Sequence, residues 1–302
     1  MTVLLNVVLP VLLVVSLSAL VHTRLRFDDR TLSRAAFYLF TPALIFDSLS
    51  SSDVSGGEIG QITTVVLLMT VIVWVLGTAT VRMLRLEGPT AAAFLVSILI
   101  MNAGNYGVSV TLFAFGEPGV ARASIYFSLS AVLASSLGVY LSARGQAPTR
   151  LALRRMVKVP MVYAAALGLA LNLGNLAVPG PLAKAVHLLG QASVPTMLLV
   201  LGVRLAEILR SRQRLVHLPA LGIATILRLL VAPSLAWLLA ALVGLGGLAR
   251  DVTVLESAMP TAVMSTILAT EFDSDPSFAA LCVLITTLLS LPTLTFLLNL
   301  LM

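Results

Sequence analysis

Asn102-Ala103-Gly104-Asn105-Tyr106-Gly107 breaks an apolar span that covers residues 89–115. A second break, Glu256-Ser257-Ala258-Met259-Pro260-Thr261, falls in the span 251–270, roughly 155 residues later. Inside hydrocarbon an unpaired backbone polar group costs several kcal/mol, so an interrupted helix survives there only when it is buried in protein or lines a cavity. Two interruptions at matching places in two halves of one chain point to a binding site at mid-membrane depth.

Composition sets the class. Hydrophobic residues make up 59% of the 302-residue chain and charged residues 11%, against about 25% charged in a soluble domain. The net charge is +6, but the arginines stand in short connections between apolar runs rather than in a patch. That placement speaks for membrane topology and anionic headgroups and against a nucleic-acid partner. The single cysteine, Cys282, excludes an intramolecular disulfide and reads as a small hydrophobe. Residues 3–22 read as a first span rather than a cleaved leader, because they lack a basic start and carry Pro10 in the middle.

Apolar runs bounded by Gly, Pro and charge divide the chain into about ten spans: 3–22, 33–50, 60–82, 89–115, 121–143, 158–177, 184–207, 217–246, 251–270 and 277–301. Basic residues collect in alternate connections: Arg24, Arg26, Arg30 and Arg34; Arg82 and Arg85; Arg144, Arg150, Arg154, Arg155 and Lys158; Arg210, Arg212 and Arg214. The other connections hold only Arg122, Lys184 and Arg250, and 47–58 is acidic through Asp47, Asp53 and Glu58. The positive-inside rule makes the first set cytoplasmic and puts both termini outside an inner or plasma membrane.

The halves echo each other. Pro10 answers Pro160, Phe40-Thr41-Pro42-Ala43 answers Ser193-Val194-Pro195-Thr196, and the broken fourth span answers the broken ninth. Five spans per copy is an odd number, so the second copy inserts upside down. The expectation is an all-α membrane protein of ten transmembrane helices in two inverted repeats, 1–145 and 146–302, with a site where they meet.

Within the breaks, Asn102 and Asn105 bring amide groups to mid-membrane depth, while Gly104 and Gly107 permit unusual backbone. A half-helix N-terminus suits a carboxylate, and unwound carbonyls suit a cation. Pro260 frees the carbonyl of Glu256, and Glu256 is itself an intramembrane carboxylate able to hold a sodium ion or a proton. Arg228, about ten residues into the eighth span, needs a partner such as a substrate carboxylate or Glu256. His187 and Gln191, one turn apart, read as an interhelical hydrogen-bonding pair, and Asp47 as the outer end of the second span. Enzyme signatures are missing: there is no H-E-x-x-H, no G-x-S-x-G and no phosphate-binding loop.

The stretches NAGNYGVSVTLFAFGEPG (102–119), ASVPTMLLVLGVRLA (192–206) and ESAMPTAVMSTILATEF (256–272) resemble the auxin efflux carrier family, whose fold is shared with the bile acid:sodium symporters. The resemblance covers essentially the whole chain. It implies that helices four and nine cross as broken helices, that spans 1, 2, 6 and 7 form a scaffold, and that spans 3–5 and 8–10 form a mobile transport domain. It further implies transport of organic anions such as auxin, malate or malonate, and a homodimer through the scaffold. By position Asn102 matches the asparagine that meets a substrate carboxylate. Ser109 and Ser265 stand where plant relatives have crossover prolines, and Met264 where many bacterial relatives have asparagine. Glu256 with Met259-Pro260 resembles the stretch that binds sodium in the bile acid symporters.

The sequence therefore leads to the expectation of a secondary carrier of small organic anions working by an elevator motion. Asn102, Asn105, Ser109, Pro260, Thr261, Ser265 and Arg228 are the expected substrate residues, and Glu256 with Met259 the expected sodium site. The alternatives are a cation/proton exchanger on the same architecture and a non-transporting membrane sensor.

Overall fold

The computed structural model describes residues 4–143, 157–211 and 217–302. Arg144, Arg150, Arg154, Arg155, Arg212 and Arg214, on which part of the charge reading rests, lie outside the described residues, as does the expected repeat boundary at 145/146. In chain order the helices are α1 (Leu9–Leu25), entered through a π-helical turn at Leu4–Val8, and α2 (Asp29–Ala35), joined by a π turn at Ala36–Phe40 to α3 (Thr41–Ser50). Next come α4 (Gly56–Met83), α5 (Gly88–Leu99) and α6 (Ser109–Leu133), the last preceded by a π turn at Ala103–Val108 and prolonged to Ser142. The second half holds α7 (Pro160–Leu173), α8 (Gly180–Gln191), α9 (Ser193–Arg210), α10 (Leu218–Ile226), α11 (Ala232–Leu242), α12 (Gly247–Ser257), α13 (Met264–Glu271) and α14 (Pro276–Leu301).

Several prolines sit where helices accept them most readily, in the first turn. Pro10 opens α1, Pro42 opens α3, and Pro160 opens α7. Side chains close other helix starts: Asp28 accepts from the Arg30 amide, Ser55 from that of Glu58, and Asp275 from that of Phe278. Along the helices both faces are apolar. On α1, Val11 and Val15 are buried while Leu13, Leu17 and Leu20 are exposed, and on α14 Leu294 and Leu298 are buried while Phe296 and Leu300 are exposed. A helix that is apolar all round belongs in a bilayer or a core, and these outer leucines have no protein to cover them.

Among the described residues six helical stretches are long and apolar enough to cross a membrane: Leu5–Leu25, Gly56–Met83, Ala103–Ser142, Gly180–Arg210, Leu218–Leu242 and Pro276–Leu301. The remaining passages expected from sequence consist of shorter pieces. α7 has 14 residues and α5 has 12, the segment 251–270 is divided between α12 and α13, and α2–α3 carries Arg34 and Asp47. These segments are interrupted, short or charged, so a count of unbroken apolar helix passes over them.

Ala103–Ser142 holds 40 residues, about 60 Å of helix at 1.5 Å per residue, which is twice the hydrocarbon thickness. The chain resolves this by folding back at Gly116, whose φ of 65° and ψ of −163° are closed to other residues. Pro118 follows. The return is visible in the contacts: the Phe127 ring occupies the space beside Gly104, and Ser130 Oγ lies 3.4 Å from Met101 Sδ. Arg122, just past the turn and buried, donates to Glu58 at 2.6 Å and to Asp53 at 2.9 Å. That guanidinium holds the Asp53 carboxyl below the usual carboxylate range.

Helices from the two halves exchange partners. α1 packs on α9, where Gly202 meets the Val15 carbonyl and Ser18, and Ser18 Oγ donates to Leu199 O at 2.7 Å. α7 packs on α3, where Gly168 lies against Phe46 and Leu49. Small residues let these backbones approach closely, which is how helices associate where no water drives them together. Thr41 and Ser193, one from each of the two stretches that answer each other in sequence, share a hydrogen bond of 3.2 Å.

A Gly116→Ala substitution is expected to destabilise the protein by about 1–3 kcal/mol, the cost of forcing a side chain into that backbone region. Thermal unfolding of the detergent-solubilised protein reads it; an unchanged melting temperature would mean that the turn has another geometry.

Candidate functional site

α5 ends because Ile100 turns extended, with φ −100° and ψ 102°. The released backbone groups find partners in the other break. Asn102 N donates to Pro260 O at 2.8 Å, Ala262 N donates to Ile100 O at 2.9 Å, and Met101 and Thr261 form an isolated antiparallel bridge. Each interruption thus supplies the hydrogen bonds the other lost. Thr261 adds a brace: its amide donates to Thr286 Oγ1 at 3.0 Å and its hydroxyl to Ser97 O at 2.8 Å.

Arg228, 1% exposed, sits behind this crossing of segments. It donates to Ile98 O at 2.8 Å and, through its other terminal nitrogen, to Ser257 O. Those carbonyls end α5 and α12, where the peptide dipoles concentrate negative charge. These hydrogen bonds go to backbone carbonyls rather than to the Glu256 carboxylate, and Arg228 does not line the cavity described next.

Beyond the breaks the chain starts helices again, and both starts face one cavity of about 200 Å³. Asn102, Gly104 and Asn105 line it from the first break, and Ala262, Val263 and Met264 from the second. Thr41, Met161, Met197 and Arg204 contribute from α3, α7 and α9, and Phe127 and Ser130 from the returning arm of α6. Asn102 is 5% exposed, and its Nδ2 has no hydrogen-bond partner among the described residues. A buried donor left unpaired costs about 1–3 kcal/mol.

The other expected site residues stand away from the lining. Ser109 is buried and donates to Asn105 O at 3.0 Å, Ser265 is buried, and Pro260 and Thr261 are engaged in the bracing just described. Glu256 and Met259 are fully buried. Thr111 donates to Glu256 Oε1 at 3.0 Å, while Oε2 has no hydrogen-bond partner among the described residues. A Cβ at Gly107 would overlap that carboxylate, so the missing side chain makes its room. Among the described residues no three His, Cys, Asp or Glu side chains group around a metal-sized position. His187 bonds Asp47 at 2.8 Å and Gln191 at 2.9 Å, apart from the cavity.

Sequence reasoning passed over three contributors. Arg204 lies inside the quoted motif on α9 and was legible as the residue one face-repeat beyond Met197 and Val200. Thr111, the donor to Glu256, looked like an ordinary helix threonine. The four methionines of the lining, Met101, Met161, Met197 and Met264, come from four segments and share no local pattern.

A family model described as "Membrane transport protein" matches residues 4–298. The chain is similar to an uncharacterized transporter of Methanothermobacter thermautotrophicus, at 30% identity over 271 residues that make up 88% of this chain and 87% of that protein. It is also similar to an uncharacterized transporter of Methanocaldococcus jannaschii, at 29% identity over 272 residues, 87% of this chain and 86% of the relative.

Arg228→Met is expected to cost about 3 kcal/mol or more, because it strips donors from two buried carbonyls at once. Arg228→Lys should recover part of that stability. Melting curves of the purified variants decide; equal stability for Met and arginine would remove the clamp from the account.

Proposed function

Because the chain belongs to the membrane transport protein family and is a multi-pass membrane transporter, not an enzyme, we propose that it is a secondary carrier of small organic anions. The observation that supports this most is the unpartnered Asn102 amide in a cavity headed by two helix starts. Amide N–H groups at a helix start carry partial positive charge and face outward from the first turn, which suits a carboxylate. In this reading Asn102 and Asn105 hold the carboxylate. Ser109, Pro260, Thr261, Ser265 and Arg228 keep the breaks in shape without touching the substrate.

The carrier crosses the inner or plasma membrane ten times, in two inverted repeats, with both termini outside. The exchange of partners between halves, α1 on α9 and α7 on α3, is what a two-fold relation between repeats requires, and it supports this reading. So does the reciprocal bonding of the two breaks. These four helices, with α8 and the α2 segment, form the scaffold, and the arms carrying the breaks move against it as an elevator. Resemblance to the auxin efflux carriers supports this division and a homodimer through the scaffold.

Glu256 is the coupling residue. A buried carboxylate with one oxygen unpartnered is costly unless it holds a proton or a cation. The co-transported ion, sodium or a proton, therefore sits at Oε2, on Gly107 and beside Thr111, with Met259 packed close in sequence. One carboxylate with one hydroxyl fits a proton more simply than a multi-ligand sodium shell. The alternative, a cation/proton exchanger, draws on the same residue and differs in ignoring organic acids.

Currents from proteoliposomes on a supported membrane test the proposal. Indole acids, malate and malonate are applied with and without sodium and across pH. An acid-triggered current is expected that falls at least about tenfold in Asn102→Ala, the worth of one hydrogen bond to a charged group, and that loses its ion dependence in Glu256→Gln. A response to sodium or pH alone, with none to any acid, would favour the exchanger.

A further inference from the structure

Of the buried polar atoms without a hydrogen-bond partner among the described residues, three belong to one neighbourhood: Arg228 Nε, Tyr126 Oη and Glu256 Oε2. Each comes from a different element. Arg228 stands in the π-helical turn Leu227–Val231 between α10 and α11, Tyr126 on the returning arm of α6, and Glu256 in the last turn of α12. These elements meet, since α12 packs on both α6 and α11. The Tyr126 side chain is fully buried and interacts electrostatically with the Arg228 guanidinium and with the Glu256 carboxylate.

The three atoms are chemically complementary. A guanidinium Nε–H only donates, an ionised carboxylate only accepts, and a phenol hydroxyl does both. The rest of each charged group is already engaged. The terminal nitrogens of Arg228 are held by Ile98 O and Ser257 O, and Thr111 occupies Glu256 Oε1. Nε and Oε2 are what remains for the hydroxyl between them. Tyr126 also stands next to the cavity wall: Phe127, the following residue, fills the space beside Gly104 and lines the cavity. Consecutive helical residues point about 100° apart, so one turn of this arm faces the carboxylate on one side and the cavity on the other.

We propose, on the basis of the carrier reading above with Glu256 as its coupling residue, that Tyr126 is a positioning residue for the return of the empty carrier. When Glu256 has released its ion, Arg228 Nε–H donates to Tyr126 Oη and the Tyr126 hydroxyl donates to Glu256 Oε2. The carboxylate is then paired, through one hydroxyl, with a cation that its backbone clamps keep in place. A buried charge is tolerated when it is paired and hydrogen-bonded, and it is heavily penalised when it is not. A sodium ion or a proton at Oε2 takes the place of the tyrosine donor, so the chain opens as the coupling ion enters. Net transport needs the empty carrier to cross back; exchange of one acid for another does not, because the loaded carrier crosses in both directions.

Proteoliposomes preloaded with radiolabelled malate, malonate or an indole acid test this. Efflux into acid-free buffer reads net transport, and efflux into buffer holding the same unlabelled acid reads exchange. Tyr126→Phe keeps the ring and removes the hydroxyl. It is expected to lower the ratio of net efflux to exchange at least about tenfold, the worth of a hydrogen bond to a charged group. In the Glu256→Gln background, where no charge needs balancing, the same substitution should leave the ratio within about twofold. An unchanged ratio in Tyr126→Phe, or an equal fall in both backgrounds, overturns the relay, while exchange in the unmodified protein leaves the carrier standing. Melting temperatures in alkaline, sodium-free buffer read the chain without transport. Tyr126→Phe should lower the melting temperature at least about 2 °C more with Glu256 present than in the Glu256→Gln background. Equal shifts overturn the relay whatever the fluxes show. Exchange of no acid by folded unmodified protein removes the carrier reading and the return step together.

Discussion

Four backbone groups govern this structure: the amides of Asn102 and Ala262 and the carbonyls of Pro260 and Ile100. Backbone that leaves helical geometry inside a membrane must find hydrogen bonds in protein, since lipid offers none. Here two segments leave it together and satisfy each other. Everything nearby serves that pairing. Arg228 collects the carbonyls at the two helix ends, Thr261 ties the second break to α14 and α5, and Gly104 and Gly107 give up side chains so that Phe127 and Glu256 can close in.

The same pairing sorts the polar groups by role. On one side of the breaks an asparagine amide and two helix starts face a cavity; on the other a carboxylate is enclosed with a single donor. In the carrier reading proposed above, a site for a negative group and a site for a positive one would share a wall only a few residues thick, and coupling two solutes requires their differential interaction with a common two-state element of this kind.

Much of this was legible in the chain. The breaks announced themselves because Asn, Gly and Pro are conspicuous in apolar surroundings, and the stretches around Pro42 and Pro195 meet through Thr41 and Ser193. The span count was harder to read, since 103–142 is one apolar stretch in which only Gly116 and Pro118 signal a return. Arg228 was visible as a charge needing a partner, but backbone carbonyls carry no sequence signature, so the choice of partner was hidden. Met101, Met161 and Met197 were hidden for a related reason, since a cavity assembled from four or five segments leaves no spacing to recognise, whereas Arg204 follows Met197 and Val200 along one face of α9. The pairing of Arg122 with Asp53 and Glu58 joins positions more than sixty residues apart.

The exchange of helices between halves bears on how such a chain is made. Ser18 finds its partner at Leu199, 181 residues later. At about 5–20 residues per second a ribosome needs roughly 10–35 s to produce that partner. Through that interval α1 stands in the bilayer with its packing face, Val15 and Ser18 included, turned to lipid. An all-apolar helix tolerates the wait, because lipid solvates Leu13 and Val15 alike. The even hydrophobicity of α1, which says little about where it packs, is what lets it remain inserted until α9 arrives.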